Sequence, residues 1–157
     1  MDFFARNKEA LAAFSRFSKT LGDRADYVQG GGGNTSVKLD EKRMAVKASG
    51  YLLRDITPQA AYAVLDYQAL RAFYGQHQPG DFPDVEAAGS ARAREAVEVV
   101  AGLTPLRPSV EAGFHALLDR FVAHTHSVYA NLAACCQESQ AILEEALKGA
   151  DYGFAVV

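Results

Sequence analysis

The chain has 157 residues, 49% of them hydrophobic, which is enough for one domain with its own core. A net charge of −3 and a pI near 5.8 give no electrostatic footprint for nucleic acid. No apolar run approaches the ~20 residues that span a bilayer, and the N-terminus lacks the basic-then-apolar order of a secretory signal, so a soluble, cytoplasmic protein with no nucleic-acid and no membrane partner is expected.

Asn7 to Leu21 carries Leu11, Phe14, Phe17 and Leu21 at helical spacing, with Gly22 as a stop, and predicts an amphipathic helix without chemistry. A connector, Asp23 to Gln29, leads into Gly30-Gly31-Gly32-Gly33-Asn34-Thr35-Ser36. Such a run reads either as a flexible linker or as a backbone that takes positive φ and points its N–H groups at an anion. It has neither Walker order nor the spacing of a dinucleotide fingerprint. Thr35 to Leu39 and Met44 to Ala48 are β-leaning runs joined by Asp40-Glu41-Lys42-Arg43, a hairpin with Val37 and Leu39 on one face and Met44 and Val46 on another. Its antiparallel pairing brings Asn34 and Ser49-Gly50 together around one small polar pocket.

Thr57-Pro58 predicts a helix start, with the helix running to about Leu65. Asp66 to Tyr74 predicts a second helix with Leu70 and Phe73 inward, and Gln76 to Ala88 a loop in which His77 is a surface residue. Ser90 to Ala101 predicts a helix capped by Ser90 and stopped by Gly102, with Arg92, Arg94, Glu95 and Glu98 on its exposed face. Val128 to Cys136 and Glu138 to Lys148 are helix-like, and Tyr152 to Val157 turns β-like. Cys135 and Cys136 are adjacent, which fits neither a disulfide framework nor a metal spacing, so they read as small hydrophobes on a helix.

The chemistry gathers between Arg107 and His126. Ser109 after Pro108 predicts a helix N-cap and places Glu111 in the first turn, where the orphan N–H groups favour a negative charge. Phe121 to Ser127 predicts a strand with Val122, His124 and His126 on one face. Two imidazoles side by side are either a half-exposed polar pair or two ligands of a zinc site, with Glu111 as the acid/base group. His115, four residues after Glu111, lies on the same helix face and reads as a support for Glu111 or the site wall.

In sequence order, Gly33-Asn34-Thr35-Ser36, Val46-Lys47-Ala48-Ser49-Gly50, Pro108-Ser109-x-Glu111-x3-His115 and His124-Thr125-His126 resemble the class II aldolase/adducin N-terminal family. The Gly-Gly-Gly-Asn-Thr-Ser-Val-Lys and Ser-Gly-Tyr-Leu-Leu-Arg-Asp-Ile-Thr stretches are most similar to domains of the rhamnulose-1-phosphate aldolase type. The resemblance runs from about residue 7 to the chain end and implies an α/β fold, a three-layer α/β/α sandwich with a largely antiparallel sheet. Further strands and helices are expected beyond residue 157, and a homo-oligomer, a tetramer in the family, is implied.

By the same resemblance, Gly33, Asn34, Ser49, Gly50 and Ser109 bind a substrate phosphate, Glu111 is the acid/base group, and His124 and His126 ligate Zn2+. The implied activity is retro-aldol cleavage of a ketose 1-phosphate to dihydroxyacetone phosphate and an aldehyde, a lyase reaction of carbohydrate metabolism. Glu111 is expected to need a pKa raised toward neutrality by partial burial. Two departures stand out: the family's third zinc-binding His has no counterpart after His126, and Val110 occupies a position where some members carry a second phosphate-binding Ser. Alternatives within the resemblance are a ribulose-phosphate 4-epimerase-like enzyme and a non-catalytic adducin-like assembly domain.

Overall fold

Runs of β-branched, aromatic and small residues that are covered on both sides build the centre of the molecule. They become β1 (Asn34–Lys38), β2 (Arg43–Lys47) and β3 (Tyr62–Asp66), joined by β4 (Phe121–His124). The four form one antiparallel sheet in the order β3-β2-β1-β4. The computed structural model describes residues 2–151, so the β-like stretch expected at Tyr152 to Val157 lies outside the described residues.

The predicted hairpin forms, each strand starting one residue earlier than expected. Its register sets Val37 opposite Ala45 and Ser36 opposite Val46. Directly opposed residues share a face. Val37 and Ala45 therefore look one way, while Ser36, Lys38, Met44 and Val46 look the other.

A short helix, α1 (Phe3–Arg6), precedes α2 (Lys8–Gly22), which covers the first face through Leu11 and Phe14 packed with Val37, Ala45, Tyr62 and Val64. Helices α3 (Tyr67–Gln76), α4 (Val85–Glu95) and α5 (Ala112–Leu117) cover the second, where Met44, Val46 and Leu65 meet Leu70, Ala93 and Ala112. The result is the three-layer α/β/α arrangement. After β4 come α6 (Val128–Cys135) and α7 (Ser139–Ala146), neither with a buried residue, and Cys135 and Cys136 are free thiols there. No described helix is long and apolar enough to cross a membrane.

Two expected helices are placed differently. The Thr57–Leu65 helix is absent: Pro58 sits in a tight turn bridged by Thr57 and Ala60, and Tyr62 to Leu65, all 2% exposed or less, pair with β2 as β3. Ala61 adopts φ +70 between turn and strand, a conformation no helix interior accommodates. The second correction concerns Ser90. Asp84 caps α4, accepting from Ala87 N–H at 2.9 Å, so Ser90 lies inside the helix. The chain leaves α4 at Ala96, and Glu98 N–H donates to Val64 O at 2.9 Å, so the 97–98 segment covers the free edge of β3.

Candidate active site

A polar side chain at every second position of β1, on a face that a helix covers, positions the site. Asn34 Nδ2 donates to Glu111 Oε2 at 3.3 Å, and Ser36 Oγ and His115 Nδ1 share a hydrogen bond of 2.8 Å. Lys38 Nζ donates to the carbonyls of His115 at 2.8 Å and of Leu118 and Asp119 at 2.7 Å. These are three rungs of a ladder that holds the start, middle and end of α5. The ammonium satisfies carbonyls that the helix end leaves without partners. Burial and Arg71 push its pKa down to about 8, against the opposing pull of Asp119.

Ser109 takes a different part from the expected cap. Helix α5 begins at Ala112 with Glu111 itself at the N-cap, and the Ser109 hydroxyl donates to the Glu111 carboxylate rather than to the helix. Glu111 is therefore held from two sides, by the Ser109 hydroxyl and the Asn34 amide. Burial acts to raise its pKa, but the hydrogen bonds from Ser109, its own backbone and Asn34, with the nearby His124 imidazole, outweigh burial and hold it below the ordinary carboxylate value. The expected upward shift is thus corrected: the free site holds an ionised carboxylate, ready to accept a proton.

The two imidazoles come to the same place. His124 ends β4 opposite Asn34, and its Nδ1 lies 3.9 Å from Glu111 Oε1. β4 is shorter than the predicted strand, since Ser127 caps α6 by accepting from Ala130 N–H, yet the His124 and His126 rings remain 5.0 Å apart between centroids. The glycine run passes beneath them. A Cβ at Gly32 would meet His126 Nδ1 at 2.9 Å. Gly33 has φ +76, and a Cβ there would stand 2.5 Å from Val28 Cγ1 and 3.1 Å from the His124 carbonyl. Gly33→Ala is therefore expected to lower stability by on the order of 2–3 kcal/mol, read as the urea midpoint. Gly30→Ala, at φ +52 with open space around it, should lose about half as much.

His115 does not reach the Glu111 carboxylate; it is 1% exposed and bound to Ser36, and its Nε2 has no hydrogen-bond partner. Burial pushes its pKa down to about 4, with Glu111 opposing and His124 and Lys38 assisting. The unfolded chain takes up this proton near the ordinary value of 6.5 and the folded protein only near 4, so stability falls as pH drops through that window. The loss is on the order of 3 kcal/mol. His115→Gln, which keeps a partner for Ser36 and does not titrate, should flatten the urea midpoint against pH between those limits relative to the wild type.

Of the five expected phosphate residues, Gly33 lies in the turn beside the His124 carbonyl and the other four divide into two groups. Asn34, fully buried, and Ser109 both face Glu111. Ser49 and Gly50 follow β2, where the chain runs beside the 107–109 segment through an Ala48–Pro108 bridge, Ser49 N–H to Arg107 O at 2.9 Å and Ser109 N–H to Lys47 O at 3.3 Å. Lys47 underlies this turn, 2% exposed, with Nζ donating to Tyr51 O at 2.8 Å. Burial lowers its pKa, opposed by Glu111 and Asp55. Across Glu111 from these polar groups lies an apolar recess of about 530 Å³, walled by Tyr74, Val85, Val110, Phe114 and Leu117. His77 is far from this chemistry in role, its ring packed against Phe73 and Phe82.

Among the described residues no three His, Cys, Asp or Glu side chains enclose a metal ion. The donor chemistry nevertheless fits zinc: two neighbouring imidazoles and a carboxylate are its common ligand types, and His124 and His126 would fill two positions of the coordination sphere.

The fold and the site together define an α/β protein whose reactive groups collect at one end of an antiparallel sheet, between a glycine-rich turn and the start of a helix. The chain belongs to the Class II Aldolase and Adducin N-terminal domain family, which it matches over residues 12–156. It is similar to the N-terminal class II aldolase domain of a conserved protein from Thermoplasma acidophilum, with a TM-score of 0.71 and 23% identity over 87% of this chain and 64% of that one. It is also similar to YgbL of Escherichia coli, whose description leaves open aldolase, epimerase and decarboxylase activity, with a TM-score of 0.55 and 18% identity over 83% of this chain and 50% of that one. The chain thus spans less than two thirds of either structure. No curated protein sequence matches it.

Proposed function

We propose that this chain forms the catalytic core of a zinc-dependent aldolase that cleaves a ketose 1-phosphate into dihydroxyacetone phosphate and an aldehyde. The observation that carries this is the Glu111 carboxylate, held by Ser109 and Asn34 on one side and 3.9 Å from His124 on the other. In cleavage the Glu111 carboxylate takes up the hydroxyl proton released as the carbon-carbon bond breaks and the aldehyde forms, and delivers it to the carbon beside the carbonyl; in condensation both transfers run in reverse. His124 and His126 would hold the metal, which would supply Lewis-acid polarisation of the carbonyl. Ser49 and Gly50 receive the phosphate and fix the reacting carbon at the carboxylate. The apolar recess beside Glu111 takes the aldehyde fragment and favours one with a hydrocarbon end, as a deoxy sugar of the rhamnulose type provides. Exposed Phe114, Tyr129 and Leu132 support assembly with further copies of the chain.

The test is a cleavage assay with zinc supplied in excess on a panel of ketose 1-phosphates, detecting the triose phosphate and the aldehyde separately. Equimolar release of both supports the aldolase. Inversion at a carbinol carbon without release of aldehyde would instead indicate the epimerase.

A further inference from the structure

Two of the side chains expected to grip the phosphate are already engaged, because the Asn34 amide and the Ser109 hydroxyl both donate to Glu111. A dianion approaching this corner also meets the negative charge of that carboxylate. The Lys47 ammonium donates to the Tyr51 and Ala48 carbonyls beneath the turn. What remains at the surface is Arg107. Its Nη2 donates to Ser49 Oγ at 2.7 Å while its carbonyl accepts from Ser49 N–H at 2.9 Å, so the guanidinium is fixed beside Ser49 and Gly50.

Among the described residues Arg107 forms no ion pair, whereas Arg24, Arg43 and Arg92 each pair with a carboxylate. Arg94, also exposed, lines a small crevice with Arg107 and Ser109, next to the turn that carries Ser49. A guanidinium presents a planar fork of donors that matches phosphate oxygens, and it stays charged at every working pH.

We propose that Arg107, with Arg94 alongside, carries the charge of the anion pocket and selects a phosphate dianion over a neutral head group. This rests on the phosphate-binding function proposed above and names the residue that sequence motifs did not. Ser49 and Gly50 shape the pocket; Arg107 supplies the attraction.

The test uses inorganic phosphate as probe, titrated calorimetrically into the purified chain and into Arg107→Gln, Arg107→Lys and Arg94→Gln variants, with urea midpoints measured for each. Arg107→Gln retains a donor for Ser49 and loses the charge, so phosphate affinity should fall about tenfold or more at an unchanged midpoint. Arg107→Lys should bind at an intermediate level, and Arg94→Gln should lose a smaller factor. If Arg107→Gln binds phosphate as the wild type does, Arg107 is only a clamp on the Ser49 turn and the proposal is overturned. A lowered midpoint in Arg107→Gln passes the decision to Arg107→Lys: binding recovered in part supports the charge, and binding still absent in a stable lysine variant overturns it. Wild-type protein that binds no phosphate at all removes the phosphate function itself, a result distinct from an arginine-independent affinity.

Discussion

Glu111→Gln is expected to lower the turnover of a ketose 1-phosphate by about 10²–10⁴-fold with KM changed little, as loss of an acid/base group requires. The amide keeps an oxygen for the Ser109 hydroxyl and the Asn34 amide to donate to, so the start of α5 stays in place. The substitution removes the ability to accept a proton while leaving Ser49, Gly50 and Arg107 untouched. Steady-state kinetics with zinc in excess provide the check, and turnover within about tenfold of the wild type would assign the proton transfer elsewhere. Glu111→Asp, one methylene shorter, should fall between the two, because the carboxylate then withdraws from both donors.

The second large effect is expected from the imidazole pair. His124→Ala with His126→Ala should reduce zinc in the purified chain to background, since the two imidazoles are the paired zinc-type donors of the described site. Each single variant leaves one imidazole and Glu111, so each should weaken binding without abolishing it. Both side chains are partly exposed at the end of β4, and their loss opens no cavity, so the urea midpoint of the metal-free double variant should stay near that of the wild type. Zinc retained at the wild-type level by the double variant would place the metal elsewhere in the molecule.

Much of this layout is legible in the chain itself, for physical reasons. The β1–β2 hairpin follows from two short β-leaning runs around a polar tetrapeptide, and the alternation of Val37 with polar neighbours fixes its faces. The Asn34, Ser36 and Lys38 ladder was available from the same period of two: polar residues repeating on a strand that must be covered ask for partners. Those partners, Glu111, His115 and the last carbonyls of α5, lie 77 to 81 residues away, and no local pattern predicts such pairings. Tyr62 to Leu65 misleads because Thr57-Pro58 is a strong local helix signal, while the strand is decided by pairing with β2 and by the cover that the 97–98 segment provides. Ser90 misleads in the same way, outcompeted as a cap by Asp84 six residues earlier. The role proposed for Arg107 is hidden in the sequence because the side chain it meets, Ser49, lies 58 residues away.

The convergence of His124 and His126 beside Glu111 is tested most directly by following the ring resonances of the four histidines in a ¹⁵N-labelled chain as zinc is added. His124 and His126 should shift together and saturate at one equivalent of metal, while buried His115 keeps the shifts of a neutral ring bonded to Ser36 and His77 stays unchanged. Zinc that moves His77, or moves only one of His124 and His126, or leaves all four rings where they were, would contradict a shared metal centre at the end of β4.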